Sequence, residues 1–315
     1  MERPLTRETS VDPIMSTEPF MTTPSRATWR DYLNITKPGI NVSNLLATFT
    51  GFWLAGPRSL DLTLLFFTLL GTALVIAGGC TLNNFIDRDI DPSMARTRNR
   101  PVASGKIAPA TALRMGILLT VAGISVLALG ANPLAAVLGM IGFFVYVMVY
   151  TVWLKRTTTL NTVIGGISGA VPPMIGWTAV TGNVDLPAWI LFLILFMWQP
   201  PHFLALAMRK VEDYRAAGVP MLPVVRGFME TKRAIMVYVA AMIPSSLFLY
   251  HTGVVGKIYF FTAIVLGVIY LVLSIAGFFT KDDDRWARQM FLYSLVYLTT
   301  ILLVMIVDKV PPVAG

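Results

Sequence analysis

Asn83, Asp87 and Asp91 follow one another at intervals of four residues. If a helix runs through all three, they share one face, drifting about 40° per step. Oxygen ligands converging on one spot suit Mg²⁺, which takes one or two carboxylates plus the phosphates of a substrate. Pro92 would end that helix, and Arg96, Arg98 and Arg100 follow before Pro101. Guanidinium groups hold phosphate oxygens in bidentate fashion. Acids for a metal followed by arginines for an anion predict a metal–diphosphate site. The competing reading is a solvated loop whose acids pair with its own arginines.

A second candidate segment runs from Trp198-Gln199-Pro200-Pro201-His202-Phe203 to Arg209-Lys210-Val211-Glu212-Asp213. Asp213 is the counterpart of the first acids, 126 residues after Asp87, which suggests an internal duplication. Its position four residues on is Ala217, so a second carboxylate is missing there. Ionisable groups inside a span usually face the bundle interior. His202 is therefore either a ligand or a group bonded to the carbonyls that Pro200 and Pro201 free. Tyr146, Tyr150, Lys155 and Arg156 mark one helix end, where belt tyrosines and topology-setting cations are the plain reading. Asn161 and Gly165–Pro173 predict close helix packing with a proline break. Asp282-Asp283-Asp284 reads as a solvated charge run.

The elements that must carry these residues are membrane helices. Of the 315 residues, 55% are hydrophobic and only 13% charged, against about 25% charged in soluble domains. A soluble protein of this size cannot hide that much apolar surface. The runs are long and continuous, which excludes a β-barrel. One cysteine, Cys80, excludes an intramolecular disulfide framework. Nine spans are predicted, at 40–57, 62–84, 109–130, 133–153, 160–181, 187–208, 234–251, 256–280 and 289–308. Residues 1–30 predict a disordered cytoplasmic tail, and 31–315 a single transmembrane domain. Of 25 Lys and Arg, all but Arg58, Lys257 and Lys309 fall on one side of these spans. Cytoplasmic loops carry such an excess, which places the N-terminus inside and the C-terminus outside. The net charge of +8 is thus mainly a record of topology rather than a sign of nucleic acid. An ion-coupled transporter is the reading from another class, but its charges would lie near the midplane. Here the acids cluster at the cytoplasmic ends.

These segments resemble those of the UbiA-type membrane prenyltransferases, and within them the branch that farnesylates haem. The family's acidic motif reads here Asn83-Asn84-Phe85-Ile86-Asp87-Arg88-Asp89-Ile90-Asp91, with Asn84 in place of an Asp. Thr36-Lys37-Pro38, Met94-Ala95-Arg96-Thr97, Leu154-Lys155-Arg156, Pro200-Pro201-His202-Phe203 and Met221-Leu222-Pro223 carry the rest of the likeness. The resemblance implies an all-α membrane protein of nine transmembrane helices around a central cavity, capped by cytoplasmic loops. It implies transfer of a farnesyl group from farnesyl diphosphate to a vinyl group of haem B. Another acceptor, a quinone precursor or chlorophyllide, is the alternative within the family. By the same likeness Asn83, Asp87, Asp91 and Asp213 would hold Mg²⁺, and Arg96, Arg100, Lys155 and Lys210 the diphosphate. Asp87, Asp91, Asp213 and Lys155 would be catalytic. His202 would touch the porphyrin, and Tyr146, Tyr150, Trp198 and Phe203 would line the prenyl pocket. The implied setting is a bacterial inner membrane, with a haem A synthase as neighbour.

Overall fold

A computed structural model describes residues 27–56 and 60–310. Most of the predicted tail, residues 1–26, lies outside the described residues. Its last part, Trp29 and Arg30, already belongs to a short helix, α1 (Trp29–Ile35), started by a Thr28–Asp31 capping box. The longer elements are α2 (Pro38–Ala55), α3 (Leu62–Ile86), α4 (Pro109–Gly130), α5 (Pro133–Thr157), α6 (Asn161–Thr181) and α7 (Leu186–Arg209). Two short helices follow, α8 (Val211–Ala216) and α9 (Leu222–Val225), and then α10 (Gly227–His251), α11 (Lys257–Ala276) and α12 (Asp283–Val307). No strand occurs among the described residues beyond an isolated bridge between Val255 and Lys309. Eight of these helices are long and apolar enough to cross a membrane. The ninth predicted span, α2, has 18 residues but is less apolar, since Asn41, Asn44, Thr48 and Thr50 interrupt it. The chain is a multi-pass membrane protein whose lipid-facing sides expose residues such as Leu118, Val121, Phe261, Val265 and Val272.

Several local expectations give way to the structure. α10 and α12 begin about two turns before the predicted spans 234–251 and 289–308. Their charged first turns stand beyond the apolar run, where hydropathy alone cannot see a helix. The aspartate run is not merely solvated. Asp282 caps α12 by accepting from the Arg285 amide, Asp283 pairs with the buried Lys232 at 2.6 Å, and Asp284 reaches Arg209 at 3.6 Å. Pro172–Pro173 and Pro200–Pro201 do not break α6 and α7, which stay continuous through them.

The core divides into two apolar clusters. One joins α2, α6, α7, α10, α11 and α12, and the other joins α2 to α6. α2 and α6 belong to both, so their crossing is the seam of the molecule. Between apolar helices in lipid, close packing replaces the hydrophobic drive, and small residues permit it. At Gly51 a Cβ would stand 2.0 Å from the Pro173 carbonyl oxygen, and at Gly176 1.9 Å from that of Thr48. Gly78 meets Thr120 and Gly116 in the same way where α3 crosses α4. Gly176→Ala should therefore cost about 1–3 kcal/mol as overpacking. Melting of the detergent-solubilised protein reads this, with Gly39→Ala, where nothing lies within 4 Å, as the neutral control.

Candidate functional site

The acidic segment does not remain helical to its end. α3 stops at Ile86, and two 3₁₀ turns follow, Asp87–Asp89 and Asp91–Ser93. Pro92 has no N–H to continue the ladder. The tight turns, rather than one helix face, bring Asp87 and Asp91 together. Both are fully buried. Arg100 places Nη1 at 2.9 Å from both oxygens of Asp91 and 3.9 Å from Asp87 Oδ2. Burial pushes the Asp91 carboxyl above its usual range, and Arg100 opposes that shift. The competing reading is thus half realised. An arginine of the same loop pairs with Asp91, but inside the protein rather than in solvent.

Asp87 is the hub. Its Oδ2 accepts from Lys155 Nζ at 2.5 Å and from Asn83 Nδ2 at 2.8 Å. Its Oδ1 is buried with no hydrogen-bond partner. A carboxylate taken out of water needs paired charge and hydrogen bonds to be tolerated, and one oxygen has neither. Lys155 is itself buried and comes from the far end of α5. The reason it can reach is local. Val145–Leu154 is wound as a π-helix, a rare geometry with i→i+5 bonding that is frequent at functional sites. Five-residue spacing lines Tyr146 up with Thr151 and Tyr150 with Lys155. Thr151 Oγ1 accepts from Asn83 Nδ2 at 3.2 Å, and the two tyrosine rings stack 6.0 Å apart. The plain topology reading of Lys155 therefore fails, because it reaches Asp87, while Tyr146 reaches Lys37 and stacks on Tyr150.

Lys37 completes the cluster, and its type and spacing did not single it out for a role. Its Nζ donates to Asn83 Oδ1 at 2.6 Å and lies 3.4 Å from the Tyr146 hydroxyl. Burial of the ammonium pushes it down to about 8, with Arg100 nearby adding to the fall. Asn83 stands between Lys37 and Asp87 in this arrangement. Its carbonyl oxygen, the atom that would bind a cation, is taken by Lys37. In the sequence Lys37 stood out only as part of Thr36-Lys37-Pro38, one of the segments that carry the family likeness.

The second loop joins the first but adds no shared acid cluster. Asp213 Oδ1 accepts from the Ala95 amide at 3.3 Å, and Ile90 packs with Val219 and Met221. The two loops thus form one cap, as predicted. Among the described residues no three acidic, histidine or cysteine side chains stand within metal-holding distance. Lys210 ends α7 and makes no hydrogen bond or ion pair with the acids among the described residues. Arg96 lines a cleft of about 290 Å³ with Lys37, Arg100, Lys106, Asn34 and Asn99. Asp31 holds Lys106 across that cleft at 3.3 Å, and hydrogen bonds from the Thr28 amide and hydroxyl keep its carboxyl below the usual range.

The α7 candidates form a separate group. His202 is sandwiched between Trp198 and Phe291, each 4.7 Å away, and Nδ1 is bonded to Ser294 Oγ at 2.7 Å. The expected bond to a proline-freed carbonyl is absent from its contacts. Trp198 donates to the Ser294 carbonyl, while Phe203 is 41% exposed. Trp198 and Phe203 therefore do not join Tyr146 and Tyr150 in a single contact cluster.

Comparison with known proteins completes the picture. The profile of the UbiA prenyltransferase family matches residues 44–296. A protoheme IX farnesyltransferase of Alkalihalophilus pseudofirmus is 56% identical over 284 residues, covering 89% of this chain and 90% of that protein. Protoheme IX farnesyltransferase 2 of Bacillus subtilis is 51% identical, over 89% and 92% of the two chains. Among solved structures, a digeranylgeranylglyceryl phosphate synthase superimposes with a TM-score of 0.76 at 18% identity, covering 89% of this chain and 98% of that one. A UbiA homolog from Archaeoglobus fulgidus bound to GPP and Mg²⁺ gives 0.63 at 15%, covering 88% and 99%. Their likeness is one of fold.

The buried pair makes a direct prediction. Lys155→Met strands the Asp87 carboxylate and should cost about 3–5 kcal/mol. Adding Asp87→Asn should recover much of the melting temperature in detergent without recovering turnover. A single variant as stable as the parent would show that the pair is not desolvated.

Proposed function

The chain belongs to the UbiA prenyltransferase family, and on that footing we propose that it farnesylates protohaem IX. Farnesyl diphosphate would donate the prenyl group to a vinyl group of the haem, with water added, giving haem O and diphosphate. The observation that carries this reading is 56% identity, along nearly the whole chain, to a protein named protoheme IX farnesyltransferase. The buried acid–cation cluster supplies the matching chemistry. A bacterial inner membrane, with the N-terminus and both cap loops cytoplasmic, agrees with the one-sided distribution of Lys and Arg. The product would suit a haem A synthase as the next enzyme.

Breaking an allylic C–O bond requires stabilising the charge that builds on the departing diphosphate. Arg96, Arg100 and Lys155 are the cations placed to do so, with Lys210 nearer the second loop. Lys37, Lys155 and Arg100 set three positive charges against Asp87 and Asp91, which favours a polyanion at this spot. The orphaned Oδ1 of Asp87 is a hard oxygen donor suited to Mg²⁺. Asn83 and Asp91 would complete that site, and Asp213, on the other loop, would serve a second ion. Mg²⁺ would supply additional positive charge against the diphosphate oxygens. The fold relative from Archaeoglobus fulgidus bound to GPP and Mg²⁺ supports that metal. The stacked Tyr146 and Tyr150 rings offer aromatic faces that stabilise a developing allylic cation and keep water from it. Trp198, His202 and Phe203 form the second aromatic surface, which we assign to the porphyrin.

Expression in a strain lacking haem O, followed by chromatography of extracted haems, tests the reaction. A new farnesylated haem is expected, and its absence with intact protein would overturn the proposal. For His202, the purified His202→Ala protein should bind haem with an altered Soret band. An unchanged Soret spectrum removes His202 from the iron.

A further inference from the structure

Among the described residues the His202 ring has one polar partner, Ser294 of α12, whose Oγ stands 2.7 Å from Nδ1. Its other contacts are aromatic. Trp198 and Phe291 cover the two faces at 4.7 Å each, and Phe203 meets the ring edge-on at 5.1 Å. Trp198, one turn earlier on α7, donates Nε1 to the Ser294 carbonyl at 2.7 Å. α7 is therefore fastened twice to one buried residue of α12, which sets the rotation of the imidazole. Nε2 has no hydrogen-bond partner among the described residues, yet it is not sealed in. His202 is 9% exposed, and Nε2 keeps an accessible edge.

The protons around Ser294 can be placed in one way. Its Oγ lies 2.6 Å from the Phe291 carbonyl oxygen as well as 2.7 Å from His202 Nδ1. Both are hydrogen-bond distances, too short for two bare lone pairs, so each contact holds a proton. A serine hydroxyl brings one proton and a carbonyl none. The Phe291 contact takes the hydroxyl proton, the back-bond that serine makes inside helices. The other proton must then come from Nδ1. Tyr270, whose hydroxyl neighbours Ser294, gives its own proton to the Met290 carbonyl at 3.4 Å. An imidazolium in this aromatic clamp would need a paired charge, and no carboxylate touches the ring. The ring is therefore neutral, with its proton on Nδ1 and its lone pair on Nε2.

We propose that Ser294 is a positioning residue for the haem substrate: by accepting from Nδ1, it keeps the Nε2 lone pair of His202 bare and available to the porphyrin iron. This rests on the reading of His202 as a porphyrin contact. Metal-bound histidines donate their other ring N–H to an outer acceptor, which fixes tautomer and orientation. Here that acceptor is a hydroxyl whose own proton is already committed to Phe291. A neutral hydroxyl makes the imidazole a weaker donor than a carboxylate would, which suits a metalloporphyrin that must leave after the reaction. Without the hydroxyl, a proton on Nδ1 would be buried and unpartnered. It would move to Nε2, the accessible edge, and the lone pair would turn away from the iron.

The chain has two histidines, and the other, His251, is exposed. Full-length protein carrying His251→Gln and isotopically labelled histidine therefore shows a single ring by nitrogen NMR in detergent. The parent ring should show a protonated Nδ1 and a bare Nε2, and Ser294→Thr, which keeps the hydroxyl, should match it. Ser294→Ala should exchange the two, and Ser294→Cys, a weak acceptor, should do the same. Titration with ferric protohaem, followed at the Soret band, should show binding about tenfold weaker in Ser294→Ala, the lower end of what outer partners of metal ligands contribute. Ser294→Thr should bind as the parent does. A parent ring protonated at Nε2, a measurement that needs no change at Ser294, overturns the inference. So does haem affinity lost in Ser294→Ala while Nδ1 keeps its proton, since Ser294 then acts through packing. An unchanged Soret band in His202→Ala takes the iron from His202 and the role from Ser294, whatever the tautomer.

Discussion

A carboxylate buried at the end of a membrane helix is the constraint around which this molecule is arranged. Asp87 has no exposed surface, so it needs cations and donors delivered from elsewhere. Four segments deliver them. α3 contributes Asn83, the loop after it Arg100, the π-wound end of α5 Lys155, and the α1–α2 junction Lys37. A one-turn shift of α5 would remove Lys155, the cation closest to Asp87. The same arrangement is what a polyanionic substrate requires, since cations already gathered around acids can turn to phosphate oxygens.

Holding four segments in register without a hydrophobic drive between helices puts the burden on packing. The seam of α2 and α6 at Gly51 and Gly176, and that of α3 and α4 at Gly78 and Gly116, fix how closely the backbones approach. The end of the bundle remote from the acids is clasped separately. Lys309 lies over the Trp53 ring and donates to the Trp53 and Gly56 carbonyls at the end of α2, while Asp308 accepts from the Tyr259 amide of α11. At the end that carries the acid cluster, Asp282, Asp283 and Asp284 tie the start of α12 to itself, to α10 and to α7. The acid cluster thus sits between two braced ends, with a cap of two loops held by Asp213 and Ile90.

Much of this was legible beforehand. Long apolar runs located the helices, because a span must satisfy its own backbone and therefore stays helical for its full length. Charges near span ends were harder to read. α10 and α12 begin in charged residues that look like loop, and Lys232 and Asp283 meet only after folding. The acid pattern picked out residues that the fold does bring together, though not by the geometry it suggested. A spacing of four suggested a helix face, whereas 3₁₀ turns and Arg100 bring Asp87 and Asp91 together. The four aromatic candidates shared a composition but not a place. Tyr146 meets Lys37 and stacks on Tyr150, while Trp198 and Phe203 flank His202 on α7.

By itself the sequence determined a helical membrane protein, its predicted orientation, and Asp87, Asp91, Arg100 and Lys155 as candidates for charge chemistry. These follow from hydropathy, charge counts and short-range spacing, which are properties of neighbouring residues. Only the tertiary structure decided that Lys37 belongs to the cluster, that Asn83 turns its oxygen away from Asp87, and that α5 changes to i→i+5 winding to present Lys155. Lys37 meets a residue 46 positions away, and the amide orientation depends on a donor and an acceptor from two different segments. No local period encodes such contacts, because they exist only once the helices have packed.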